Sequence, residues 1–192
     1  MEFADRIDSI LGMYSPEVTR AQLNLLDSHD TPRFLTCAGE DLNSLKLALT
    51  FIFSYPGAPC IFYGDEIGLT GRHDPDCRKS FVWDERKWNK GLRDFVKELI
   101  SVRNSNKALR WGNYTRLYSE DKVYAFGRSL DGEQIAVALN SSEAARTIHL
   151  DNVNLMHGTG RILFGRAEFH TERSPLQLTI PPRSGVIWKY VR

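Results

Sequence analysis

Cysteine is scarce in this chain and widely spaced. Only three occur in 192 residues, Cys37, Cys60 and Cys77, and none forms a C-x-x-C pair. An odd, scattered set argues against a disulfide framework and against a zinc site, and it fits a reducing compartment. Cys60 stands in an apolar segment and is expected to be a buried thiol. An excess of one charge is also missing: 25 Lys and Arg face 24 Asp and Glu, for a formal net charge of +1. With no block of like charges, neither nucleic acid nor an anionic membrane is an expected partner. Long hydrophobic runs are absent as well. The most apolar region, Leu45 to Tyr63, is broken by Ser54, Pro56, Gly57 and Pro59 and is unsuited to span a bilayer. The opening residues alternate in charge and carry no signal-peptide pattern. The expected location is the cytoplasm, unless an upstream segment carried a signal.

What is present divides into two patterns. Phe3, Ile7, Ile10 and Leu11 share one helix face, and Ser15-Pro16-Glu17 reads as a second helix start. Leu23 to Leu26 is a short strand candidate. A helix follows from about Asp41, with Leu42, Leu45, Leu49 and Ile52 at helical spacing, and Pro56-Gly57 ends it. Cys60 to Tyr63 reads as a fully buried strand. Gly68 to Asn89 is a long loop, and Leu92, Phe95, Val96, Leu99 and Ile100 form another amphipathic helix. Beyond about Leu109 no long helix is expected. Short β-rich runs recur instead: Tyr114–Tyr118, Val123–Phe126, Ile135–Leu139, Thr147–Leu150, Arg161–Phe164, Leu176–Ile180 and Val186–Tyr190. Asp131-Gly132, Ser141-Ser142, Gly158-Thr159-Gly160 and Pro181-Pro182 read as the turns between them. About seven such strands argue for an antiparallel sandwich. The fold class is thus α/β followed by all-β, divided into residues 1–108 and 109–192. The first part holds too few parallel strands to close on itself, since a (β/α)8 barrel needs eight and about 250 residues.

The chemistry gathers at the end of the first strand candidate. In Leu25-Leu26-Asp27-Ser28-His29-Asp30-Thr31-Pro32-Arg33 an apolar segment gives way to an imidazole beside a carboxylate. Such clusters at the C-terminal ends of buried strands are where α/β barrels keep their active groups. A plain turn or helix cap explains the same residues. Asp65-Glu66 admits the reading of a solvated turn. Asp74-Pro75-Asp76 reads either as a surface turn or as a weak calcium site, though its spacing is not that of an EF-hand.

Together these segments resemble the α-amylase family of glycoside hydrolases. The Ser-His-Asp run is similar to the last of that family's signatures. Tyr55-Pro56-Gly57-Ala58-Pro59-Cys60-Ile61-Phe62-Tyr63-Gly64-Asp65-Glu66-Ile67-Gly68 resembles the segment around its eighth barrel strand. Gly71-Arg72-His73-Asp74-Pro75-Asp76-Cys77-Arg78, followed by Trp83-Asp84, is similar to the neopullulanase and cyclomaltodextrinase branch. The resemblance implies the last two β/α units of a (β/α)8 barrel, incomplete here, followed by a C-terminal β-sandwich.

It also implies roles. Asp30 would be the auxiliary carboxylate on the sugar in the cleavage subsite, with His29 donating to the same sugar. Asp74 and Arg78 would hold the next glucose. No cofactor and no metal are implied. Retention of configuration needs a nucleophile and an acid about 5–5.5 Å apart. In the family these are an Asp in a Gly-x-Arg-x-Asp context and a Glu, both well before the His-Asp run. Only 24 residues precede Leu25 here, and they hold no such context. The expectation is the C-terminal part of a larger α-glucan hydrolase, inactive alone. The other readings are a glucan-binding module and a subunit that completes a split barrel. In the module, Trp111, Trp188, Tyr114 and Tyr118 would be stacking faces, although core or interface places suit them better. Open strand edges predict a homodimer, or association with a missing N-terminal half, through residues 1–105.

Overall fold

The computed structural model describes residues 2–150, 159–170 and 176–191. Its first part follows the apolar spacing closely. α1 (Glu2–Gly12) buries Ala4 and Ile7. α2 (Pro16–Ala21) begins with proline at its first position, where the missing N–H removes no helical bond. β1 (Leu23–Asn24) lies parallel to β2 (Ala58–Pro59), with Leu23 opposite Ala58. Between them run α3 (Phe34–Cys37) and α4 (Leu42–Ser54). α4 is capped by Asp41, whose carboxylate accepts from the Asn43 N–H at 2.9 Å. α5 (Lys90–Ser105) is capped in the same way by Asn89, which accepts from the Leu92 N–H at 2.9 Å. A short α6 (Lys107–Trp111) leads into the β-rich part.

Two strand expectations need correction. β1 stops at Asn24 rather than Leu26, and Cys60 to Tyr63 form no strand. Cys60 is exposed, whereas Cys77 is the buried thiol. The cause is pairing. Among the described residues β2 has β1 as its one ladder partner, ending with the Cys60 N–H on the Asn24 carbonyl at 2.8 Å. A parallel strand that is buried and extended needs a neighbour on each side. The connection α4–β2 is tight. Gly57 has φ of 100°, and a Cβ there would stand 2.7 Å from the Asn24 amide and 2.8 Å from the Gln22 carbonyl.

The second part is an antiparallel sandwich. β3 (Asn113–Glu120), β4 (Val123–Leu130), β5 (Glu133–Asn140), β10 (Ser184–Val191) and β7 (Thr159–Phe164) form one sheet in that order. β6 (Arg146–Leu150), β9 (Leu176–Ile180) and β8 (Glu168–His170) form the other. Every expected β run falls within one of these strands. β8 was not expected, because three residues carry no readable alternation. Gly158 lies outside the described residues, while Thr159 and Gly160 open β7 instead of making a turn. A Cβ on Gly160 would come within 2.9 Å of the Phe169 ring, so this glycine serves a close approach.

The larger sheet is covered on both faces. Tyr124, Phe126, Ile135, Val137, Leu139 and Ile187 pack against Leu45, Leu49, Leu92, Val96 and Leu99 of α4 and α5. Val123, Ala125, Ala136, Ala138, Val186 and Trp188 pack against Ile148, Leu150, Leu178 and Ile180 of the smaller sheet. Helices, sheet and sheet therefore stack as three layers over two cores. Two buried arginines close the end of α4, one from α5 and one from the sheet. Arg103 donates to the carbonyls of Phe53 (2.8 Å) and Gly57 (2.5 Å). Arg128, on β4, donates to the carbonyls of Ser54 and, at 2.9 Å, Gly112. Burial pushes the Arg128 guanidinium down to about 9, so it stays charged at neutral pH against the negative helix end.

Candidate functional site

Just beyond β1 the chain folds on itself. The Ser28 N–H donates to Thr31 Oγ1 at 3.0 Å, and the Asp30 N–H to Ser28 Oγ at 3.2 Å. Such local bonds are what Ser and Thr offer a turn, and here they present His29 and Asp30 at its tip. Asp27 is buried beneath and accepts from the Phe34 N–H at 2.5 Å. The turn is thereby fixed to the start of α3.

The long loop after β2 brings the second pair of residues to the first. Arg78 Nη2 lies 3.3 Å from Asp30 Oδ1, and Arg78 Nε lies 2.9 Å from Asp74 Oδ1. Nε also donates to the His29 carbonyl at 3.0 Å. His29 Nε2 is 3.3 Å from Asp30 Oδ1. All four residues singled out in the sequence therefore meet in one cluster. It is open to solvent, with side-chain exposures from 49% at Arg78 to 67% at Asp30. The cluster offers carboxylate acceptors and a forked donor within one reach, a set suited to neutral polyols. Asp74 is committed to Arg78, and Asp76 to the Arg72 N–H at 2.6 Å and to Lys79. These partners hold the Asp76 carboxyl below its ordinary range. Among the described residues no three His, Cys, Asp or Glu side chains stand together in a metal-holding group.

The floor of the site was less legible. Arg33 is fully buried, and its guanidinium carbon lies 4.0 Å from the centre of the Phe62 ring and 4.6 Å from that of Tyr63, the two rings themselves meeting edge to face with centres 4.5 Å apart. Nη1 donates to the Tyr63 carbonyl (2.6 Å) and to Asp65 (3.2 Å), and Nε to the Cys77 carbonyl (3.0 Å). Asp65 is buried, which corrects the solvated-turn reading. Its carboxyl is pushed up to about 8, chiefly by burial and next by the neighbouring Asp27. The one sequence signal for this floor was Arg33 itself, a charge set directly before the apolar pair Phe34-Leu35.

Two further features frame the site. A groove of about 830 Å³ opens between α1, β1, α4 and the β3–β4 turn, lined by Phe3, Leu23, Leu25, Leu47 and Phe51. None of the four clustered residues lines it. Among the aromatics considered as stacking faces, Trp188 is fully buried, Tyr114 and Tyr118 are half-buried, and Trp111 is 55% exposed.

Comparison with known proteins bears on the family and the fold. Residues 4–144 match the family described as "Alpha amylase, catalytic domain", and residues 114–187 match "Maltogenic Amylase, C-terminal domain". A cyclomaltodextrinase of Geobacillus thermopakistaniensis (strain MAS1) is 39% identical over 97% of this chain and 32% of its own. Neopullulanase 2 of Thermoactinomyces vulgaris is 38% identical over 96% of this chain and 32% of its own. The native Nostoc punctiforme debranching enzyme superposes with a TM-score of 0.91 at 39% identity, covering 97% of this chain and 39% of that one. The chain thus spans about a third of the length of these curated relatives. Among the described residues no helix is long and apolar enough to cross a membrane.

Proposed function

The chain belongs to the alpha-amylase family, and from that premise we propose that it is the C-terminal, sugar-holding portion of a retaining α-glucan hydrolase of the cyclomaltodextrinase and neopullulanase branch. Residues 1–108 are the last units of the catalytic barrel, and residues 109–192 are its C-terminal sandwich domain. The observation that carries this reading is the joining of Asp30, His29 and Asp74 through the single guanidinium of Arg78. Asp30 and His29 bind the hydroxyls of the sugar in the cleavage subsite. Their hydrogen bonds strengthen as that ring flattens, so they act mainly on the transition state. Asp74 and Arg78 hold the next glucose. Asp30 and Asp74 share one arginine and serve binding, not as the nucleophile and acid that retention requires. This chain by itself is therefore catalytically incompetent.

The test is incubation with maltoheptaose and β-cyclodextrin at high protein concentration. No new reducing ends are expected, while calorimetry shows weak, saturable binding of maltoheptaose. Arg78→Ala weakens that binding on the order of tenfold, the worth of a charged hydrogen bond. Turnover abolished by Asp30→Asn would overturn the reading of incompetence. Unchanged binding by Arg78→Ala would overturn the assignment of the site.

A second reading concerns assembly. The apolar groove lies beside β1, where Leu23 is 66% and Leu25 47% exposed. Such surface favours association through residues 1–105, either with a second copy or with a chain that supplies the rest of a barrel.

A further inference from the structure

The four clustered side chains stand on two separate pieces of chain. His29 and Asp30 ride on the turn after β1, and Asp74 and Arg78 ride on the long loop after β2. Direct contacts between the pieces at the surface are few and exposed, and exposed ion pairs contribute little to order. The strong contacts lie beneath. Arg33 follows the His-Asp turn, yet nearly all its polar contacts are on the other piece. Its backbone N–H donates to the Gly71 carbonyl at 2.8 Å. Its side chain reaches the Tyr63 and Cys77 carbonyls and Asp65, and its planar head rests against the adjoining rings of Phe62 and Tyr63. The space is close, since a Cβ on Gly71 would stand 3.1 Å from the Arg33 stem. Cys77 completes the link: its carbonyl is held by Arg33, its thiol donates to the His29 carbonyl at 3.3 Å, and its neighbour is Arg78.

We propose that Arg33 is a positioning residue that locks the loop over residues 63–78 onto the His29–Asp30 turn, so that the four sugar-facing groups are assembled before a glucan arrives. This deepens the function proposed above and rests on it for the identity of the ligand. A lysine cannot replace it. One ammonium is a compact point charge without the planar fork whose Nε and Nη1 reach three separate acceptors while the head rests against the rings. Without the fork, the Tyr63 and Cys77 carbonyls lose their donor, and beyond its exposed contacts the loop keeps only the backbone bond of Arg33 to Gly71, that of the Gly71 N–H to Thr36 Oγ1 (2.8 Å) and the Cys77 thiol to His29. The two halves of the site then drift apart without any change in the cores farther away.

Cys77 reports on this directly. It is fully buried between the two pieces, whereas Cys37 and Cys60 are exposed. In a background carrying Cys37→Ser and Cys60→Ser, the remaining thiol should react with a chromogenic disulfide reagent only slowly. Arg33→Lys and Arg33→Met should raise that rate at least about tenfold while the amides of α4 and α5 keep their exchange protection. Maltoheptaose binding should weaken in parallel. Thiol reactivity at the wild-type rate in folded variants would overturn the proposal, as would reactivity that rises only together with global unfolding. If both variants fail to fold, hydrogen exchange on the unchanged protein decides. The Arg33 amide and the Arg78 amide, bonded to the Gly71 and Pro75 carbonyls, should then open together and before the core, and separate opening counts against the lock. Thiol reactivity needs no glucan. Exposure of Cys77 without any maltoheptaose binding by wild type would therefore sink the glucan reading and leave the lock standing.

Discussion

A buried carboxyl beneath the site makes the protein sensitive to alkali. Burial and Asp27 raise the Asp65 carboxyl from 3.8 to about 8. The folded chain thus keeps a proton that the unfolded chain releases above about pH 4. The stability this gives is complete below the unfolded value and is lost as pH rises toward 8, on the order of 1 kcal/mol per pH unit while the proton is being given up. Asp65→Asn has no proton to lose and can still accept from Arg33. Urea unfolding from pH 5 to pH 9 should therefore show a steeper decline for wild type than for Asp65→Asn. Parallel curves would contradict the assignment. The four exposed residues could be singled out in the sequence because their types and spacing resemble a known signature. Arg33 and Asp65 were not, because nothing in a charged residue's letter says that its charge is buried. Their surroundings are supplied by the fold: the Phe62-Tyr63 pair comes against Arg33, and the Asp27 carboxylate against Asp65.

Helices were legible as elements because their caps and apolar stripes are local. Asp41 before Leu42, Leu45, Leu49 and Ile52 fixed both the start and the buried face of α4. β1 and β2 were less so, since a strand's length depends on its neighbours and no local pattern records them. Asp41 also does something that the sequence does not disclose. Besides capping α4, its carboxylate bonds the Arg183 guanidinium, which arrives from the turn between β9 and β10 and also touches Ser44 Oγ at 2.8 Å. One side chain thus both begins a helix and ties it to the sandwich. Asp41→Ala should lose about 1–2 kcal/mol in chemical denaturation, the upper range of a cap. Asp41→Asn can still accept from the Asn43 N–H and should lose about half of that or less. Equal losses in the two variants would mean that the ion pair, not the cap, carries the effect.

At the scale of the whole molecule, the uncovered apolar surface of α1 and β1 stands out. Phe3, Leu23 and Leu25 are 54%, 66% and 47% exposed along one groove. We expect multi-angle light scattering to return a dimer or a larger assembly, and Leu25→Lys to shift the mass toward monomer. A sharp monomer mass for the wild type would remove that expectation. Seven of the eight strands of the sandwich were foreseen, all but β8, because alternation and turn chemistry are local properties of sequence. Its attachment was not. Tyr124, Phe126, Ile135 and Val137 look like any inward face, and only the fold shows that they serve the helices rather than the second sheet.

The larger sheet belongs to two cores at once, and this bears on inheritance. A recombination event that swapped residues 113–191 for a sandwich from elsewhere would leave α4 and α5 facing a stranger's side chains, with the Arg128 tether to Ser54 gone. The smallest piece that can be exchanged intact therefore includes those helices, and with them the strand ends and loops that carry the cluster of His29, Asp30, Asp74 and Arg78.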